Sequence, residues 1–352
     1  MKKALGCLGV CLTLAACDSF KREVTDRIDD HEPSTWTSQG DCEALLAQRP
    51  PVTNPRIGTW NVRFFPDSQE NQAITDENAT DVPWLACAIV SLDVDVLAVQ
   101  EFKMTPRSVQ KQQELIGRLN ELTGGDWRIE LASCEPLEVQ HPGFLYDASR
   151  VTGSRFREIP ILNPDPVCSN AASPGFGAYF EMEGGPNFHF IAVHLMAGDV
   201  QDAMNGRADA VAHMPEAIEE AYALVPDQDV IIAGDFNTGG CADCVPPLSG
   251  VDEVGRLGDT MNSMGVPLLL IGASETCTFQ SDDDPNSLLD HFVVAKSMAE
   301  VPPGSVAHVD GICKELQCGR LRNWLEGARD RLSDHCPVLL NLATQDDDGS
   351  AI

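Results

Sequence analysis

Six short β-branched or aliphatic runs dominate this sequence, at residues 57–62, 94–100, 188–194, 229–234, 291–295 and 338–342. Each has strand length, and several are apolar throughout. That pattern belongs to strands covered on both faces or lying in a sheet packed on another sheet. Helical patterns lie between them. Residues 109–122 place Leu115, Leu119 and Leu122 on one face, and residues 216–225 do the same with Ile218, Ala221, Tyr222 and Val225. Interleaved strands and helices predict a layered α/β or α+β domain. With no internal repeat and no second linker after Arg56, residues 56–343 read as one domain.

The ends of these runs carry the chemistry. Asn61 closes the first, Glu101 the second and His194 the third; Asp235 and Asn237 close the fourth. Asp290 and His291 open the fifth, and Ser333-Asp334-His335 opens the sixth. One such residue is an ordinary turn former. Six strand ends sharing the pattern are not explained by turn formation alone.

The ordered set Thr59-Trp60-Asn61, Gln100-Glu101, His194-Leu195, Gly234-Asp235-Phe236-Asn237, Leu289-Asp290-His291 and Ser333-Asp334-His335 resembles the endonuclease/exonuclease/phosphatase superfamily, the deoxyribonuclease I-like proteins. Gly-Asp-Phe-Asn and Ser-Asp-His, about one hundred residues apart, carry most of the specificity. The resemblance implies a four-layer α/β/β/α sandwich and metal-dependent phosphoester hydrolysis by in-line attack of water. Glu101 supplies a hard carboxylate for Mg²⁺ or Mn²⁺, with Ca²⁺ as a further alternative, and the resemblance adds Asn61 and Asp334 to the metal site. It also implies that Asp235 activates the water, that Asn237 hydrogen-bonds the phosphoryl oxygen, and that Asp290 orients His335 on the scissile phosphate. His194 is then the leaving-group acid or a second phosphate ligand. Tyr146, ending Gly143-Phe144-Leu145-Tyr146, and Arg207, at the head of the helix after the His194 strand, are implied substrate-binding residues. His291 alternates with Asp290 and is expected to face the core.

Charge narrows the partners. The chain carries 24 Lys plus Arg against 54 Asp plus Glu, a formal charge of −30. Nucleic-acid binding through an overall basic surface is excluded by that balance, so phosphate recognition needs local help. A nuclease acting on nucleic acid is the first reading. A sphingomyelinase-like or inositol-phosphate phosphatase, and a catalytically inactive surface-binding lipoprotein, are the alternatives. The acidic runs at 282–284 and 346–348 read as a solvated loop and part of an acidic tail, 344–352.

Lys2 and Lys3 precede an apolar run, 4–16, that is too short to span a bilayer and matches a signal-peptide core. Leu14-Ala15-Ala16-Cys17 resembles a bacterial lipobox, which implies a signal at 1–16 and lipidation of Cys17. The expected product is a monomer exported to the cell envelope and held at a membrane by lipid alone. Residues 17–55 read as a polar tether. The ten remaining cysteines, 42, 87, 134, 168, 241, 244, 277, 313, 318 and 336, form an even set that suggests disulfides in an exported chain. Cys241-Ala242-Asp243-Cys244 also has the spacing of half a zinc site, without a second half.

Overall fold

All six apolar runs are strands. The computed structural model describes residues 32–48, 55–68, 79–163, 167–281 and 286–344. In chain order the strands are β1 (Arg56–Asn61), β2 (Val96–Phe102), β3 (Trp127–Leu131), β4 (His141–Asp147), β5 (Val151–Ile159), β6 (Gly175–Met182) and β7 (Asn187–His194). They continue with β8 (Val230–Asp235), β9 (Gly240–Cys241), β10 (Leu248–Ser249), β11 (Leu268–Leu270), β12 (Asp290–Ala295), β13 (His308–Val309) and β14 (Val338–Asn341). One six-stranded sheet has the order β13-β14-β1-β2-β4-β3 and the other β11-β12-β8-β7-β6-β5, while β9 and β10 form a small separate pair. In each large sheet the central pair is parallel, β1 with β2 and β7 with β8, and the flanking strands are antiparallel.

Alternation along the strands decides what each face packs against. In β7, Phe188, Phe190 and Ala192 join the core between the sheets, whereas Ile191 and Val193 pack on the opposite side. There they meet α4 (Gln201–Ala212), α5 (Met214–Leu224) and α6 (Gly250–Asn262), through Val211, Met214, Ile218, Leu257 and Met261. The first sheet is covered by α1 (Gln39–Leu46), α2 (Val82–Leu92) and α3 (Pro106–Thr123). Two short helices, α7 (Gly311–Leu316) and α8 (Asn323–Arg331), precede β14. The result is the four-layer α/β/β/α sandwich. Helix caps follow the sequence: Thr105 accepts from the Ser108 amide at the start of α3, and Gly124 ends it at φ 70°.

Thr35–Ile352 forms one compact unit, and residues 35–48 of the 17–55 segment pack within it. Trp36 is buried edge-on against Trp60, its Nε1 donating to Asp310 at 3.2 Å, and Trp84 Nε1 donates to the Thr35 carbonyl. Polar composition hid this segment because one tryptophan and one cysteine anchor it. All ten expected cysteines pair: Cys42–Cys87, Cys134–Cys168, Cys241–Cys244, Cys277–Cys318 and Cys313–Cys336. The signal segment, Cys17 and both acidic runs lie outside the described residues. Among those described, no helix is long and apolar enough to cross a membrane.

Candidate active site

The carboxyl ends of β1, β2, β7 and β8 and the amino ends of their antiparallel neighbours β12 and β14 meet on one edge. Register makes this unavoidable: Asp235 pairs with His194 on one side and with Asp290 on the other. The packing of the two sheets brings Asn61 and Glu101 across to the same place. Asn61 Nδ2 donates to Glu101 Oε1 at 2.9 Å and to Asp235 Oδ2 at 3.0 Å. His194 Nε2 lies 3.9 Å from Glu101 Oε1 and 3.7 Å from Asp235 Oδ2. His335 Nε2 lies 3.7 Å from that same Asp235 oxygen, and its Nδ1 is 2.9 Å from Asp290 Oδ2.

Local backbone geometry aims these groups. The pairing of β2 with β4 slips between Val99 and Phe102, and within that slip Glu101 takes φ 66°. A bulge of this kind re-aims a side chain off the strand's alternation. Oε2 then accepts from the Phe64 amide at 2.9 Å. Asn237 also has positive φ, 52°, held by its amide on Asp235 Oδ1 and its Nδ2 on the Leu195 carbonyl. Left-handed non-glycine residues store strain of about 1–3 kcal/mol and persist where the surroundings over-determine them. Gly234 must be glycine: at φ 152°, a Cβ would lie 2.0 Å from the Val193 carbonyl oxygen. Ser333 ties β1 to the last motif, donating to the Asn61 carbonyl at 2.6 Å and accepting from the His335 amide. Thr278 Oγ1 accepts from the amides of both Leu289 and Asp290.

Electrostatics separate the histidines. Burial alone would lower the pKa of His335, but the carboxylates of Asp290 and then Asp235 outweigh it and raise it to about 10. The imidazolium is therefore the resident form at neutral pH. Burial lowers His291 to about 4, and its Nε2 lies 2.9 Å from Thr238 Oγ1 with the ring edge-on to Phe236. His291 packs on the helix side of the sheet, as alternation predicts, and takes no part in the site. Burial raises the Glu101 pKa, with His194 and Asn61 opposing it.

A divalent cation fits this donor set. Glu101, His194 and Asp235 offer ligand atoms within 4.8 Å of one another, and all three side chains are buried at the sheet edge. The two other expected oxygen donors are differently engaged. Asn61 turns its amide nitrogen to the carboxylates while its Oδ1 accepts from the Arg63 amide, so it spaces the acids apart. Asp334 forms an ion pair with Arg63 Nε at 3.2 Å.

Both residues expected to bind substrate lie elsewhere. Tyr146 pairs with Val96, at the far end of the sheet from Glu101, and its ring stacks on Phe156 and meets Phe180 edge-on in the core. Arg207 is fully buried, in a bidentate pair with Glu253, and has no donor left for a ligand. The motifs placed both near the phosphate, but the strand direction of β4 and the inward face of α4 decide otherwise. Ser333, Thr278 and Glu253 carried no assigned role in the sequence. Only Ser333 sat inside a motif that could have flagged it.

The endonuclease/exonuclease/phosphatase family model matches residues 58–335, spanning every one of these strand ends. The chain belongs to this family. It is accordingly a hydrolase acting on phosphoester bonds, and family members generally use divalent metals. Solved structures with the same fold include the human Nocturnin catalytic domain with bound sulfate, at 15% identity and TM-score 0.53 over 85% of this chain and 99% of that one. TDP2 from D. rerio, complexed with a single-strand DNA product, is 15% identical at TM-score 0.52 and covers 83% and 100%. A mannosyl-6-phosphatase from Bacteroides thetaiotaomicron is 18% identical at TM-score 0.51 and covers 82% and 99%. No curated protein sequence matches the chain.

Proposed function

We propose that this family member is an exported, lipid-anchored, divalent-metal-dependent phosphodiesterase whose substrate is nucleic acid. The observation that carries the reading is the convergence of His335, held as an imidazolium by Asp290, with Asp235, His194 and Glu101 around one point on the sheet edge. A site built only to bind has no use for a buried acid–imidazolium pair beside a second buried carboxylate. Nucleic acid is favoured over phospholipid or inositol phosphate because export with five disulfides matches the extracellular nuclease branch suggested by the sequence. TDP2, of the same fold, carries a DNA product.

In-line hydrolysis needs an oriented water, neutralised nonbridging oxygens and a stabilised leaving oxygen. Asp235 orients the water and takes its proton. His335 donates to a nonbridging oxygen, and its charge is maintained by Asp290. Asn237 spends one amide hydrogen on the Leu195 carbonyl and keeps the other for the phosphoryl group. His194 protonates the leaving oxygen. A divalent ion held by Glu101, with Asp235 and His194 adjacent, would supply Lewis-acid charge to the phosphate.

The test is turnover of plasmid DNA, RNA, sphingomyelin and inositol phosphates by residues 18–352 with Mg²⁺, Mn²⁺ or Ca²⁺, alongside His335→Ala. Nucleic-acid cleavage reduced at least a hundredfold in H335A is the expected result. Intact nucleic acid with a lipid or inositol phosphate consumed would replace the substrate. No cleavage of any phosphoester, or H335A equal to the parent, would remove the enzymatic reading.

A further inference from the structure

Arg207 spends all five of its N–H donors inside the protein. Nε and one Nη2 hydrogen grip Glu253 at 2.7 and 3.0 Å, and Nη2 also reaches the Gly240 carbonyl at 2.9 Å. Nη1 donates to the carbonyls of Met196 at 2.9 Å and Gly198 at 2.7 Å. Glu253 completes the knot by accepting the Gly240 amide at 2.8 Å. A fully buried arginine is costly unless every donor is met by a fixed partner, and here all of them are.

The carbonyls it holds belong to two segments only. Residues 196–198 directly follow His194 and Leu195; Gly240 follows Asn237 by three residues. Gly240 itself is shaped for this contact, since at φ 88° a Cβ would meet the Leu248 carbonyl at 2.4 Å. Two further links cross the same junction, Ala242 N to the Asp199 carbonyl at 2.6 Å and Gln201 N to Asp243 Oδ1 at 2.8 Å, the latter inside the Cys241–Cys244 clip.

His194 is the group most in need of such support. Its Nδ1 is buried with no hydrogen-bond partner among the described residues, in contrast to His335, whose Nδ1 is oriented by Asp290. Backbone placement must therefore orient the His194 ring. Leu195 is the hinge of that placement: its amide donates to the Asp235 carbonyl, and its own carbonyl receives Asn237 Nδ2.

We propose that the Arg207–Glu253 pair is a positioning device that fixes the junction of the two loops and so aims His194 at the leaving oxygen. This rests on the phosphodiesterase reading above and on the acid role of His194 within it. An arginine expected to touch substrate instead acts through three backbone carbonyls.

The experiment compares the parent, Arg207→Lys, Glu253→Gln and His194→Ala on two substrates in Mg²⁺. One is an oligodeoxynucleotide, whose leaving oxygen needs a proton; the other is bis(4-nitrophenyl) phosphate, whose leaving group departs as the anion. Lysine keeps the charge of Arg207 but cannot make the bidentate fork. On the oligonucleotide, R207K and E253Q are expected to lower kcat ten- to a hundredfold with KM changed less than threefold. On the nitrophenyl ester the loss shrinks at least fivefold, in parallel with H194A. A deficit equal on both substrates, or none, overturns the positioning role. Near-UV circular dichroism establishes which variants fold; should R207K fail, E253Q decides, and failure of both overturns the proposal in favour of plain structural support. Loss of the underlying phosphodiesterase reading is seen separately, as a parent enzyme that cleaves neither substrate.

Discussion

Asp290 matters less for its own charge than for the proton it keeps on His335. The buried pair at 2.9 Å raises the imidazole to about 10, so the charged form survives neutrality and is lost only as pH rises past that value. Asp290→Asn keeps the shape and removes the charge. Its basic limb in kcat against pH is expected to move down by roughly 2 units, the scale of one close carboxylate. A limb that stays in place would show that Asp290 does not hold the proton. One residue along the chain, at His291, the sign reverses. Its folded pKa of about 4 lies below the unfolded value of 6.5, so the unfolded chain takes up the proton first. Stability is fully present above 6.5 and declines as pH falls toward 4, by up to roughly 3 kcal/mol. Urea unfolding at several pH values between these limits should show the slope in the parent and lose it in His291→Gln; parallel curves would contradict it.

At the scale of elements, legibility followed periodicity. Strands β1, β2, β7, β8, β12 and β14 were readable because both faces are covered, leaving continuous apolar runs, and α3 because its buried face repeats at helical spacing. Their ends carried the motifs, so Asn61, Glu101, His194, Asp235, Asp290 and His335 were found together. Strand β5 was not legible, since it is an edge strand whose pairing with β6 slips between Ser154 and Arg157. Strand β6 places Gly175 and Gly177 against Ile159, where a Cβ would come within 3.5 Å and 2.9 Å of its side chain, so half its pattern is missing. Helix α2 is apolar almost all round and has no stripe to read. The direction of β4, which carries Tyr146 away from the site, is a property of topology that no local pattern encodes. Helix α1, hidden in a polar segment, depends on Cys42–Cys87, which closes a 45-residue separation. Replacing both cysteines by serine should destabilise the domain by about 4 kcal/mol and lower Tm by on the order of 10 °C, read by calorimetry. A shift within about 2 °C would mean that Trp36 packing alone suffices.

For the whole molecule, a charge of −30 and a phosphate substrate are reconciled only by where the positive charge sits. Removal of residues 1–16 would take Lys2 and Lys3 as well and carry the chain from −30 to −32. Within the site the protein's own cations are few. His335 is charged but enclosed by Asp235 and Asp290, and Arg63 is committed to Asp334 at 3.2 Å. Long-range attraction of a polyanion is therefore absent, and the acidic surface repels it. A divalent ion held by Glu101 would change only the local field, which suits contact with one or two phosphates rather than a long footprint. Anisotropy titrations with a nuclease-resistant phosphorothioate oligonucleotide should show binding in EDTA at least tenfold weaker than in millimolar Mg²⁺. The slope of log K against log salt should be shallow, about 1–2, because each neutralised phosphate contributes roughly 0.7–0.9. Tight metal-independent binding with a steep slope would place the phosphate-binding charge elsewhere on the surface and make the strand-end site secondary to it.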